Sequence, residues 1–112
     1  MTILLEVAVD DAPGLAEAVA GGADRVELCA ALALGGLTPT LGLMRQAAGC
    51  GVPCYPIIRP RSGDFRFAAA EVEVMRADIR AARDCGLTGV VLGASRPDGR
   101  LDEAVLRLLV AE

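Results

Sequence analysis

The chain has 112 residues, 54% hydrophobic content and no low-complexity tract, which predicts one soluble globular unit over residues 1–112 with room for a modest core. Its net charge is −4, it has no lysine, and its eleven Lys+Arg residues, all arginine, are scattered among fifteen acidic ones, so no basic stripe exists for a phosphate backbone. Nucleic acid is not expected as a partner, nor is a membrane, since no apolar run reaches spanning length. Glu6, Asp10 and Asp11 interrupt any leader-like run, so the four cysteines read as reduced thiols in the cytoplasm.

The first predicted element is a strand over 3–9, ILLEVAV. Asp10 or Asp11 can cap the helix that follows, Pro13 suits its first turn, and Gly21-Gly22 stops it. Residues 25–29, RVELC, form a second strand. A loop carrying Gly35-Gly36 and Thr38-Pro39-Thr40 leads into a short helix at 41–48. The third strand is expected at about 54–59, shortened by Pro53 and Pro56, because proline cannot donate to a ladder. Val72, Met75, Ile79 and Ala82 then mark the apolar stripe of a long helix ending near Gly86. GVVLGA at 89–94 is the expected fourth strand, and Asp102 the cap of a last helix.

Strand followed by helix, repeated four times, predicts an α/β fold with a parallel sheet, either doubly wound or an eight-stranded barrel. GADRVELCA (22–30) and GLTGVVLGA (86–94) repeat with an offset of 64, and half that spacing links Glu27, Arg59 and Val91, as if each sat at one depth of successive units. No G-x-G-x-x-G fingerprint follows the first strand, which weighs against dinucleotide binding.

Alternation along the strands places Glu6, Glu27 and Arg59 on the face opposite the one that helices cover. Isolated buried charges are costly, so two readings follow. Either the three form an ion-paired layer that only organises the interior, or they line a polar site at the strand ends, where β/α barrels build their chemistry. Arg59, Arg61 and Asp64 crowd the loop after the third strand, and an arginine fork suits a phosphate or carboxylate. Gly63 would let a backbone N–H approach such a ligand, Asp64 alternatively holds Arg61, and Phe65 and Phe67 read as packing beneath the loop. Cys29, at a strand end beside Glu27, is the best candidate ligand for a soft metal such as Cu(I), against the alternative of an inert buried thiol. Cys50 and Cys54 make a poor metal motif, Cys85 reads as packing, and the absence of histidine leaves carboxylates and thiols for any chemistry.

Taken in order, LLEVAVD, GGADRVELC, GGLTPT, IRPRSGDF and DGRLD resemble the CutC family of copper homeostasis proteins over nearly the whole chain. The resemblance implies a β/α barrel of the TIM type, cytosolic, often a dimer, with copper as its cargo. In copper-binding schemes for the family one cysteine lies in the first-strand motif LEVCVD and another ends the second-strand motif. The second corresponds to Cys29, whereas the first position is Ala8 here, and Glu6, Glu27, Arg59, Arg61 and Asp64 match the family pattern. Four β/α units are half of such a barrel, which implies an N-terminal half, present as a fragment or pairing with a second copy. The rival function is an enzyme or binder of a small anionic metabolite at the C-terminal mouth of the barrel.

Overall fold

The computed structural model describes residues 2–112. In chain order it contains β1 (Glu6–Val9), α1 (Ala12–Ala20), β2 (Arg25–Leu28), α2 (Leu41–Ala48), β3 (Cys54–Pro56), α3 (Ala69–Asp84) and α4 (Glu103–Val110), with a 3-10 turn at Leu32–Leu34. The strands form a parallel sheet in the order β1-β2-β3, as the alternating pattern predicts. No helix among the described residues is long and apolar enough to cross a membrane.

The helices begin where the sequence supplies an acceptor for their unpaired amides. Asp11 accepts from Gly14 N at the start of α1 and Asp102 from Val105 N at the start of α4. Thr40 does the same for α2 through Leu43 N. At α3 the Glu71 carboxylate reaches back to Ala68 N, because Ala68 itself has no side-chain acceptor. The stripe of α3 is buried as expected, with Val72, Met75, Ile79 and Ala82 all inside, and Gly86 takes a φ of +82° just past the helix.

One face of the sheet is covered and the other is open. Val9, Val26, Leu28, Cys54 and Pro56 are buried with Leu15 of α1 and Met44 and Ala47 of α2. A second cluster joins Ile58 to the α3 stripe and to Leu109 of α4. On the opposite face Glu6 and Ala8 are exposed, and Glu27, Tyr55 and Ile57 are only half-buried.

Four expectations need correction. The first strand begins at Glu6 rather than residue 3, and Ile3, Leu4 and Leu5 lie exposed. The third ends at Pro56 instead of 59, and the fourth reduces to a single parallel bridge between Ile57 and Val91. Ile58 N to Val91 O and Val91 N to Pro56 O secure that bridge, and among the described residues no strand pairs with its outer edge. The 32-residue spacing is likewise not a spacing in depth. Glu6 pairs with Arg25, 19 residues on, Val26 with Cys54, 28 on, and Ile57 with Val91, 34 on.

Candidate functional site

The strand ends and the loops after them bring most of the polar chemistry together. Register places Ala8, Glu27 and Tyr55 in one row across the open face. Glu6 lies two residues before that row and Arg59 four residues beyond it, a depth difference of about 20 Å along the strands at roughly 3.3 Å per residue. The ion-paired layer of Glu6, Glu27 and Arg59 therefore does not form. Glu6 instead pairs with Arg25 at 2.6 Å in a solvent-exposed bridge.

Cys29 follows β2 and is fully buried. Its Sγ lies 3.6 Å from Glu27 Oε1 and 3.9 Å from the Glu27 carbonyl. Burial first, then the Glu27 charge and hydrogen bond, then the Asp10 charge, push the thiol up to about 12, so it is protonated at neutral pH. Gly36 seals it from the other side. That glycine has a φ of +94°, and a Cβ there would come within 3.3 Å of Cys29 Sγ. The loop holding Gly36 is tied down at both ends, by an antiparallel bridge between Ala30 and Leu37 and by Asp10, which accepts from Leu32 N.

Arg59 clamps the same loop. Its Nη1 donates to the carbonyls of Leu34 and Gly36 at 3.0 and 3.2 Å, its Nη2 donates to Gly63 O at 2.9 Å, and its backbone N donates to Thr38 Oγ1. Gly35 holds a φ of +90°, and a Cβ there would press on Nη1 at 3.0 Å. The guanidinium stacks over Phe65, and its Nε is buried without a hydrogen-bond partner. Thus GGLTPT and IRPRSGDF are two halves of one interlocked structure.

Arg61 is spoken for by its own loop. It donates to the Glu71 and Asp64 side chains and to the carbonyls of Ser62, Asp64 and Arg66, and it stacks over Phe67. A bond from the Arg66 amide, with the Arg66 and Arg61 guanidiniums, holds the Asp64 carboxyl below its usual range. Backbone bonding at Ala68 and then Arg61 does the same for Glu71. Phe65 and Phe67 meet edge to face beneath the two arginines, in the packing role expected of them.

The candidate residues thus fall into three groups: Asp10, Glu27 and Cys29; Arg59 with the loop at 34–36; and Arg61 with Asp64 and Glu71. Sequence reasoning did not single out Asp10, Gly36 or Thr38 as site residues, nor Glu71 as the partner of Arg61. The only available signal was that Gly36 and Thr38 sit inside a distinctive block. Among the described residues no three His, Cys, Asp or Glu side chains converge to hold a metal ion, and Cys29 is their one thiol at the C-terminal ends of the strands.

Comparison with known proteins identifies the relatives. The CutC family model matches residues 3–112. A CutC family protein of Sinorhizobium medicae is 66% identical over 107 residues, covering 96% of this chain and 44% of its own length. One from Caulobacter vibrioides is 60% identical over 110 residues, covering 98% and 45%. The chain thus spans less than half the length of these curated relatives. The crystal structure of CutC from Streptococcus agalactiae superposes with a TM-score of 0.92 at 30% identity, covering 98% of this chain and 54% of that one.

Proposed function

The chain belongs to the CutC family, and from that premise we propose that it forms the N-terminal half of a β/α barrel in a cytoplasmic copper homeostasis protein. Cu(I) is the cargo, taken at the C-terminal mouth with Cys29 as its thiolate and Glu27 beside it. The Streptococcus relative carries a provisional copper homeostasis name. The observation that carries the reading is the one-sided sheet. Its helices lie on one face, while the other is open and ends in Asp10, Glu27 and Cys29, as the wall of a barrel would.

Loading requires the loop over Cys29 to lift and the thiol to lose its proton, which the metal displaces. Ala8 stands in register with Glu27, where the family pattern has a second cysteine, so the further ligand must come from outside this pair of strands. Anaerobic titration with Cu(I) against a chromophoric chelator tests the proposal. One equivalent should be retained by the wild type and lost in Cys29→Ser, and undiminished uptake by that variant refutes the role of Cys29. The protein self-associates as a dimer in this reading, which light scattering checks.

A second reading is favoured by the unpartnered Arg59 Nε. It makes the mouth a site for a small phosphate or carboxylate held through Arg59 and Arg61, with Arg61 exchanging its contact with Asp64 for the anion. A rise in melting temperature with such metabolites, abolished in Arg61→Ala, is its signature. A copper response without an anion response eliminates it.

A further inference from the structure

Cys50 and Cys54 lie away from the strand ends just described, at the start of β3. We infer that they form a reversible oxidation site, a dithiol that a hydroperoxide converts to an intrachain disulfide. Their Sγ atoms are 3.3 Å apart, and each also lies 3.5 Å from the Val52 carbonyl, so both thiols are drawn to one point. A disulfide needs the sulfurs to close to about 2.05 Å, a shift of little more than 1 Å.

The backbone holds this arrangement. Gly49 caps α2 just past Ala48, Gly51 takes a φ of +93° to fold the chain back, and Pro53 O accepts from Val26 N, which fixes Cys54 against β2. The two thiols differ in access. Cys50 is half-buried and lines a groove of about 360 Å³ between α1 and α2, together with Leu15, Val19 and Gln46. Cys54 is buried at 2% exposure. Burial and then its contact with Cys50 push the Cys54 thiol up to about 12, which makes it a poor first nucleophile.

Roles follow from access. Cys50 Sγ attacks the distal peroxide oxygen. An S–O bond forms, the O–O bond breaks, and the alcohol or water leaves with the thiol proton. Cys54 Sγ then displaces the hydroxyl from the sulfenic acid. The S–S bond forms, the S–O bond breaks, and the Cys54 proton leaves in the water released. Two thiols and one hydroperoxide give one disulfide, one alcohol or water from the peroxide, and one water, with two electrons passing from sulfur to the peroxide. In a reducing compartment such a bond is transient, which suits a sensor rather than a structural staple.

The experiment treats the reduced, copper-free full chain with one equivalent of hydrogen peroxide, blocks remaining thiols with iodoacetamide, and analyses tryptic peptides by mass. Cleavage after Arg45 and Arg61 isolates both cysteines on 46–61, apart from Cys29 and Cys85. That peptide should lose two hydrogens, escape alkylation, and regain both sites after dithiothreitol. In Cys54→Ser, dimedone should trap a sulfenic acid at Cys50, while Cys50→Ser should leave Cys54 alkylatable. Wild-type peptide that is alkylated at both positions, over-oxidised without a disulfide, or joined to Cys29 or Cys85 overturns the inference.

Discussion

Replacing Arg59 by alanine should cost more than any other single change at the strand ends. Arg59 is 8% exposed and donates to three carbonyls, at 2.9, 3.0 and 3.2 Å. Bonds from a charged donor contribute about 1.5 kcal/mol each at the low end, and rehydration of the exposed Leu34 and Gly63 carbonyls returns about 1–2 kcal/mol, leaving a loss of about 3 kcal/mol. Against a total of about 6–17 kcal/mol for 112 residues, the variant remains folded but weakened. Urea unfolding at neutral pH, with a slope of about 1.5–2 kcal/mol/M, should show the midpoint falling by about 1.5–2 M. Arg59→Lys should fall between, because an ammonium lacks the planar fork that reaches both loops. A midpoint shift in Arg59→Ala below about 0.5 M would refute the clamp and leave Arg59 free to serve a ligand.

Gly36→Ala forces an L side chain into a positive φ and against Cys29 Sγ, so it should destabilise by about 2 kcal/mol in the same urea assay. Stability should also fall as pH climbs from about 9 to 12. Cys29 and Cys54 keep their protons up to about 12 in the fold but release them near the ordinary 9.0 when unfolded, so over that window the native state binds more protons. Thermal melts at stepped alkaline pH check this, and a double Cys29→Ser, Cys54→Ser variant should flatten the slope. Arg25→Ala removes only an exposed ion pair and should cost no more than about 1 kcal/mol, whereas a larger loss would place Glu6 in a coupled network after all.

Much of the fold was legible because the signals are local. Capping residues at Asp11 and Asp102, the stripe from Val72 to Ala82 and the glycine stops each act within a few residues of themselves, and the structure follows them. The candidate site was legible only as a set of residue types. Glu27 and Cys29 stand at the end of β2 and Arg59 and Arg61 in the loop after β3, yet the partners of the charges differ from those expected. Arg61 binding Asp64 was foreseeable, three positions apart in one loop, whereas Glu6 binding Arg25 and Arg59 binding carbonyls at 34 and 36 were not. The dithiol was in view as a spacing, and only the contact between sulfurs gave it meaning.

By itself, then, the sequence determined the order of the helices and of the first three strands, which side of those strands faces the helices, and the family blocks that mark its relatives. Strand periodicity of two assigns a side chain to a face but says nothing of its depth. Depth depends on register, and register on hydrogen bonds between segments 19, 28 and 34 residues apart. Those unequal offsets separate Glu6, Glu27 and Arg59 along the sheet and bring the Gly35-Gly36 loop beneath the Arg59 guanidinium. Such long-range pairing, with the burial that raises the Cys29 thiol, exists only once the chain is folded.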